Sequence, residues 1–334
     1  MSCFSPMQAL RLDSTTKSGK SVIRFVSNET GKSLLSHPGY LSGLPCGQCI
    51  GCRLERSRQW AIRMMNEADC HASNSFITLT FDDASLLKRE VPMSLDKLEF
   101  PDFIKRFRRR ISDPDDRYFV PSFSDRIPLD MRDTVRYYMC GEYGELFKRP
   151  HYHAIIFGYD FPDKQLHKIK DGMRYYTSDF LSEVWPYGFN VITDVTFDSA
   201  AYVARYIMKK HLGKDAWKNY FEYFDEQTGE LVGHRIPEYT TMSRRSGIGK
   251  AWLDKYLQDV YPRDKIFMRG RGFSRPPKYY DTQYEIINPS DYSRIKQDRV
   301  DQAILRADDF TPERLHAKKV IKLSQIGGLK RNLE

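Results

Sequence analysis

The chain has 334 residues, 40% of them apolar and 29% charged, with 53 Lys and Arg against 44 Asp and Glu for a formal net charge of +9. Its 20 Phe, 21 Tyr and 4 Trp supply one large core or two modest ones, which excludes a wholly disordered chain. No apolar run approaches the roughly 18–20 residues that span a bilayer, and the start MSCFSPMQAL lacks a basic stretch followed by an apolar segment, so a cytoplasmic protein with a polyanionic partner, nucleic acid first, is expected.

Residues 1–45 are rich in Ser and Gly and read as a lead-in with one strand, Val22 to Ser27. Cys46, Cys49 and Cys52 then form a C-x2-C-x2-C run. A zinc site wants four ligands, so a fourth has to come from Cys70, His71, His37 or elsewhere; the other readings are reduced packing thiols, or an iron–sulfur cluster that also needs a fourth thiolate. With six Cys in all and three in one tight group, a disulfide framework is not indicated. From about Gly51 to His71, Leu54, Ala61, Met64, Met65 and Ala68 recur at helical spacing. Arg53 and Arg56 at the start of this helix are candidate phosphate contacts.

Ser75 to Phe81 alternates apolar residues with Thr and predicts a strand. A helix follows over Pro101 to Ile111 and ends in Lys105-Arg-Phe-Arg-Arg-Arg110. Those cations either meet the negative end of the helix dipole or, through Arg106 and Arg109, contact phosphate. Strands are predicted over Val135 to Glu142, His151 to Gly158 and Gly188 to Val195, and a helix over Ser199 to Leu212. Between Thr241 and Tyr280 ten Lys and Arg stand against three Asp, interleaved with Trp252, Tyr256, Tyr261, Phe267, Phe273, Tyr279 and Tyr280. This suits a groove for single-stranded DNA, cations on phosphates and rings on bases, with Arg244, Arg245, Arg269 and Arg271 as candidate contacts; it also suits an ordinary subdomain with solvated charge. A further helix is expected from about Phe310.

The segment Cys140 to Phe157 carries the chemistry. On a strand, His151 and His153 project from one face. If residues 143–150 form a hairpin loop, Glu142 lies opposite His151, and two imidazoles and a carboxylate converge with coordination positions left open. Glu145 in the turn is the second choice of acid. The other reading is a strand with two packed histidines. Tyr202 and Tyr206, four apart, share a face of the predicted helix, followed by Lys209 and Lys210, whose charge would ease ionisation of a phenol with an ordinary pKa of about 10. Two aromatics packing at a helix edge is the alternative. Ser246-Gly-Ile-Gly-Lys-Ala251 is not a phosphate loop: position 244 is Arg where the first Gly belongs, and Ala follows the Lys. Neither an ATPase nor a helicase is expected.

In this order, Phe76-Ile-Thr-Leu-Thr80, Pro150-His-Tyr-His153 and the Tyr202/Tyr206 helix resemble the three motifs of the HUH endonuclease superfamily. More narrowly, Pro45-Cys-Gly-Gln-Cys-Ile-Gly-Cys-Arg53, Gly141-Glu-Tyr-Gly144, Tyr202-Val-Ala-Arg-Tyr206 and Met242-Ser-Arg-Arg-Ser-Gly-Ile-Gly249 resemble the replication initiators of small single-stranded DNA phages of the gokushovirus type. The resemblance covers about residues 45–280. It implies an α+β fold, a central antiparallel sheet with the His strand in its middle and helices around it. The division it suggests is a lead-in (1–45), an endonuclease domain (46–215) and a basic, aromatic-rich C-terminal extension (216–334) packed on it. It implies a Mg²⁺ or Mn²⁺ ion on His151, His153 and Glu142, although that ligand set would also accept Zn²⁺. It further implies a nick at the viral origin through a 5′-phosphotyrosine, a 3′-OH for a host DNA polymerase, a host helicase for unwinding, and later joining of the displaced strand into a circle. No nucleotide cofactor is needed, and the place of action is the host bacterial cytoplasm. A related transposase or plasmid relaxase, or a non-catalytic nucleic-acid-binding protein, are the other readings.

Overall fold

The computed structural model describes the chain apart from residues 1–2, 17–18, 20, 28–29, 31–32, 128–132, 145–146, 206–221, 225–227 and 328–334. Its described elements begin with β1 (Met7–Thr15), β2 (Ser21–Val26), β3 (Tyr40–Leu44), α1 (Ile50–Ala68), β4 (Asn74–Leu79), α2 (Asp83–Leu87) and α3 (Glu99–Ser112). Next come β5 (Arg136–Tyr143), β6 (Pro150–Phe157), β7 (Gln165–Lys170), β8 (Met173–Thr177), α4 (Asp179–Val184), β9 (Asn190–Thr193) and α5 (Phe197–Arg205). The chain continues through β10 (Glu222–Phe224), β11 (Leu231–His234), β12 (Tyr239–Met242), α6 (Lys250–Val260), β13 (Ile266–Met268), β14 (Gly272–Ser274), α7 (Lys278–Ile287), α8 (Pro289–Ile304) and α9 (Pro312–Gly327). Two compact units result, Met1–Arg56 with Glu285–Glu334, and Ser57–Tyr284.

The smaller unit holds a three-stranded antiparallel sheet in the order β2-β1-β3. Only β2 is legible in the sequence. The burial of β2 follows no strict alternation, and β1 buries Ala9 alone among its nine residues, so neither carries the period-two apolar signal of a core strand.

The larger unit is an α+β fold built on a seven-stranded antiparallel sheet, β12-β5-β6-β4-β9-β8-β7. The His strand β6 lies inside this sheet with all eight of its residues buried. Alternation along β6 sends Tyr152, Ala154 and Ile156 to one face, where they join Phe100, Phe103, Phe107 and Ile111 of α3 and Phe180, Leu181 and Val184 of α4 in one core. The apolar residues of α3 recur every three to four positions, which is why this helix buries one stripe and leaves its cations outside. Tyr152, the middle residue between the histidines, is part of that core: its hydroxyl donates to Glu99 Oε2 at 2.8 Å and accepts from Asp96 N–H at 3.2 Å. Gly141 stands opposite it in the register, and a Cβ there would come within 2.9 Å of the Tyr152 ring, so the ring occupies the space a side chain would need.

The opposite face of the sheet carries α1 and α5. Trp60 of α1 packs on Tyr138 of β5 with ring centroids 5.0 Å apart, and Ser57 Oγ donates to Ala201 O of α5 at 3.0 Å. Thr196 caps α5, its Oγ1 accepting from Ser199 N–H at 3.1 Å. The Ser246-Gly-Ile-Gly249 turn belongs to the packing of α1. Arg63 Nε donates to Ile248 O at 3.0 Å, and Gly249, at φ +76°, donates its N–H to Glu67 at 2.6 Å while approaching the Arg63 backbone too closely for a Cβ.

Candidate metal centre and nucleophile

The β5–β6 register pairs Glu142 with His151 and Cys140 with His153, and the β4–β6 register pairs Thr78 with His153. The ladder runs one pair past the expected hairpin, to Tyr143 and Pro150, without changing the Glu142–His151 pairing. Glu142 Oε1 lies 2.8 Å from His151 Nε2 and 2.9 Å from His153 Nε2. The far nitrogens are held as well: His151 Nδ1 lies 3.1 Å from the Arg149 carbonyl and His153 Nδ1 2.9 Å from Thr78 Oγ1. Both rings therefore present Nε2 to one point, each oriented by a partner on the other nitrogen, as in histidines that bind metals.

Glu142 is 0% exposed and its Oε2 has no hydrogen-bond partner among the described residues. Burial opposes its ionisation, but the hydrogen bonds and positive potential of His151 and His153 prevail and hold the carboxyl below the ordinary carboxylate range. The three candidate ligand atoms lie within 4.8 Å of one another. A buried carboxylate oxygen without a partner, beside two aligned imidazoles, fits a divalent cation with open positions.

Tyr202, on the buried side of α5, enters the same place. Its hydroxyl donates to Glu142 Oε1 at 3.4 Å, and its ring stands edge-on to His153 with centroids 5.2 Å apart. The Arg205 guanidinium lies 5.9 Å from the Tyr202 ring. Tyr206, Lys209 and Lys210, as well as Glu145, lie outside the described residues. Sequence reasoning missed Thr78 and Arg205. Thr78 sits in the Phe76–Thr80 strand, where alternating Thr reads simply as a β-former, and the strand pairing is what turns its hydroxyl into a histidine partner.

The candidate DNA contacts divide into engaged and exposed groups. Arg106 donates to the Val184 carbonyl at 3.1 and 3.2 Å, and Arg271 pairs with Asp198 at 2.5 Å while lying over the Phe197 ring. Arg56, Arg109, Arg244, Arg245 and Arg269 are exposed and Arg53 is half-buried. Arg109 and Arg245 line a cavity of about 390 Å³ together with Arg108, Arg136, Ser243 and Asp133. Of the rings between 241 and 280, Tyr261 and Tyr280 are core residues, whereas Phe267 and Phe273 stand 62% and 72% exposed, side by side on the β13–β14 hairpin.

The structure gathers Cys46, Cys49 and Cys52 and adds Cys3 to them, all four sulfurs within 4.8 Å of one another. The expected fourth partners are employed elsewhere: His71 on Glu67, Cys70 on the Asn66 carbonyl and His37 on the Gly39 N–H. Burial raises the Cys3 and Cys52 thiols. It works against Cys49 too, but the N–H groups of Phe4 and Cys52 prevail there and lower that thiol to about 6.

Residues 74–211, which contain every described member of the metal centre, match the family model of the replication-associated protein ORF2. The chain is 31% identical over 269 residues to the replication-associated protein VP4 of Bdellovibrio phage phiMH2K, covering 80% of this chain and 74% of that one. It is 29% identical over 301 residues to the replication-associated protein ORF2 of Spiroplasma virus 4, covering 85% and 81%. With the replication-associated protein ORF4 of Chlamydia phage 1 it shares 30% over 256 residues, 73% of this chain and 54% of that one. No solved structure matches. With a metal-type cluster and a tyrosine built into the matched segment and relatives of this extent, the chain belongs to the family of phage replication-associated proteins.

Proposed function

We propose that this protein initiates rolling-circle replication of a single-stranded DNA phage as an HUH-type nickase and strand joiner. The observation that carries this reading is the meeting of the Tyr202 hydroxyl with Glu142 beside His151 and His153, residues from three separate elements. His151, His153 and Glu142 would hold a Mg²⁺ or Mn²⁺ ion, which supplies Lewis-acid polarisation of the scissile phosphodiester.

The remaining work falls to the chain. Tyr202 Oη attacks phosphorus, a Tyr–O–P bond forms and the P–O3′ bond breaks. The phenolic proton is lost as the oxygen becomes an ester, and O3′ takes up a proton to leave as a hydroxyl that a host DNA polymerase extends. The guanidinium of Arg205 favours the phenolate that this attack needs. Tyr206, with Lys209 and Lys210, would serve the second cleavage, after which the free 3′-OH attacks the first phosphotyrosine and closes a circle. The ester conserves the bond energy, so no nucleotide is consumed, and unwinding falls to a host helicase in the cytoplasm. Among the described residues no helix is long and apolar enough to cross a membrane.

For the DNA path, the exposed Phe267 and Phe273 with neighbouring Arg269 and Arg271 offer rings for stacking and cations for phosphate, and Arg271 rests on the first turn of the helix that carries Tyr202. Arg53, Arg56, Arg109, Arg244 and Arg245 are the further cations offered to phosphate. Supercoiled plasmid carrying the phage origin, incubated with protein and Mn²⁺, tests the reading. Nicked circles and a protease-sensitive DNA adduct on Tyr202 or Tyr206 are expected. The Tyr202→Phe/Tyr206→Phe double variant should lose nicking by more than about 10³-fold and keep DNA binding. Nicking at the wild-type rate by that variant overturns the nucleophile assignment.

A further inference from the structure

We infer that Cys3, Cys46, Cys49 and Cys52 hold one zinc ion in a closed tetrathiolate site that ties the N-terminal end of the chain to the first turn of α1. The four sulfurs come from three places: the chain start, the turn before α1 and α1 itself, in which Cys52 is the third residue. A tetrahedral zinc with Zn–S bonds of about 2.3 Å sets its sulfurs about 3.8 Å apart, because the tetrahedron edge is about 1.63 times the bond. Cys3 and Cys49 sulfurs are 3.8 Å apart. A disulfide would bring them to about 2.05 Å. A four-iron cube, filling the space among its ligands, would hold the cysteine sulfurs farther apart than the 4.8 Å that bounds this group.

Backbone donors already aim at the sulfurs as they do around thiolate metal sites. Phe4 N–H points at Cys49 Sγ at 3.3 Å, Cys46 N–H at Cys3 Sγ at 3.3 Å, and Cys49 N–H at Cys46 Sγ at 3.2 Å. The last closes a turn through Gly47 at φ +72°, a conformation that glycine adopts without strain. The first turn of a helix further favours negative charge on Cys52.

There is also a physical need for such a tie. Among its described residues the smaller unit buries few large side chains, Tyr292, Ile295 and Leu315, and its strands are largely exposed. Units with so little core are commonly held by a metal or a cross-link. This site is closed, with four protein ligands and no position for substrate, so its part is structural rather than chemical.

The test uses the full chain, purified without chelator. Metal analysis should find about one tightly held zinc per chain, and the Glu142→Gln/His151→Gln double variant should retain it, which separates this ion from one at the nickase centre. Cys3→Ser and Cys49→Ser should each weaken zinc binding by more than the roughly 10–100-fold cost of changing an outer-shell partner, while Cys70→Ser and Cys140→Ser leave it unchanged. Cobalt substituted for the zinc should show the visible absorption of a tetrahedral thiolate site. If the serine variants fail to fold, titration of the wild type with an organic mercurial decides: zinc release should track the loss of the four clustered thiols. Zinc retained by Cys3→Ser, zinc lost from the Glu142→Gln/His151→Gln variant, iron in place of zinc, or wild-type protein with six reactive thiols and no metal would each overturn the proposal.

Discussion

Two glutamates of the larger unit, Glu67 on α1 and Glu142 on β5, are buried to nearly the same degree, and each lies beside histidine. Both carboxyls are held below the ordinary range against the effect of burial, Glu67 by His71, the Gly249 N–H and Arg136, Glu142 by His151 and His153. Their partners differ in kind. Glu67 has a full cation, Arg136, 2.8 Å from Oε1, and the Gly249 N–H on Oε2. Glu142 has imidazoles alone, both on Oε1, and an Oε2 with no hydrogen-bond partner among the described residues. A buried carboxylate whose oxygens are both engaged is part of the fold. One with an oxygen left over, among aligned ring nitrogens, is prepared for something that arrives later.

Exchanging each acid for its amide separates the two roles most sharply. Glu142→Gln should lower nicking by on the order of 10²–10³-fold and abolish calorimetric Mn²⁺ binding. Glu67→Gln should cost roughly 3 kcal/mol in urea unfolding, because it strands the Arg136 charge in a buried place, and leave Mn²⁺ binding intact. The acid dependence adds a sign. A carboxyl whose folded pKa is depressed stabilises the fold above its unfolded pKa, and that contribution is lost as pH falls through the folded value. The stability gap between wild type and Glu67→Gln should therefore narrow from neutral pH toward acid. A gap that widens would mean that Glu67 is not the paired carboxylate the geometry shows.

A smaller effect belongs to Thr78. Thr78→Val keeps the shape of the strand and removes the hydroxyl 2.9 Å from His153 Nδ1. Mn²⁺ affinity should fall by roughly 10–100-fold with little change in unfolding midpoint, and Thr78→Ser should restore it. Equal Mn²⁺ affinity in all three proteins would mean that the His153 ring is oriented by packing against Phe76 and Tyr202 rather than by the hydrogen bond.

The difference between the two glutamates also marks what a sequence can disclose. Glu142 was legible because strand pairing has arithmetic: the alternation in β5 and β6 and the turn between them put it opposite His151. The sheet and α3 were legible for the same reason, each with an apolar period tied to its geometry. Glu67 was not, since its partners, Arg136 and Gly249, are brought to it by tertiary packing, and the Ser246–Gly249 turn reads locally as a failed phosphate loop. Cys3 stands 43 positions before Cys46, a separation no spacing rule covers. The β7–β8 hairpin escaped because Leu166 and Ile169 are exposed, so its apolar residues do not alternate toward a core. Several rings of the basic stretch read as base platforms, yet Tyr261 and Tyr280 are core residues, a distinction that composition cannot draw.

The arginines repeat the contrast at the surface, where the energies are smallest. Arg106 is tied to the Val184 carbonyl, Arg108 to the Val135 carbonyl and Arg136 to Glu67, whereas Arg109 and Arg245 line the same cavity as Arg108 and Arg136 with their side chains exposed. A guanidinium already donating to the protein must give up that bond to meet a phosphate; an exposed one gives up only water. Arg109→Gln with Arg245→Gln should therefore flatten the dependence of single-stranded DNA affinity on salt, measured by fluorescence anisotropy, by a slope of about 0.7 for each lost contact. Arg106→Gln should leave that slope alone and cost about 1 kcal/mol in unfolding, the worth of its hydrogen bonds to the end of α4. A slope that falls with Arg106→Gln and holds in the double variant would put the DNA on the α3–α4 side, and engagement within the fold would then be no guide to which cations meet phosphate.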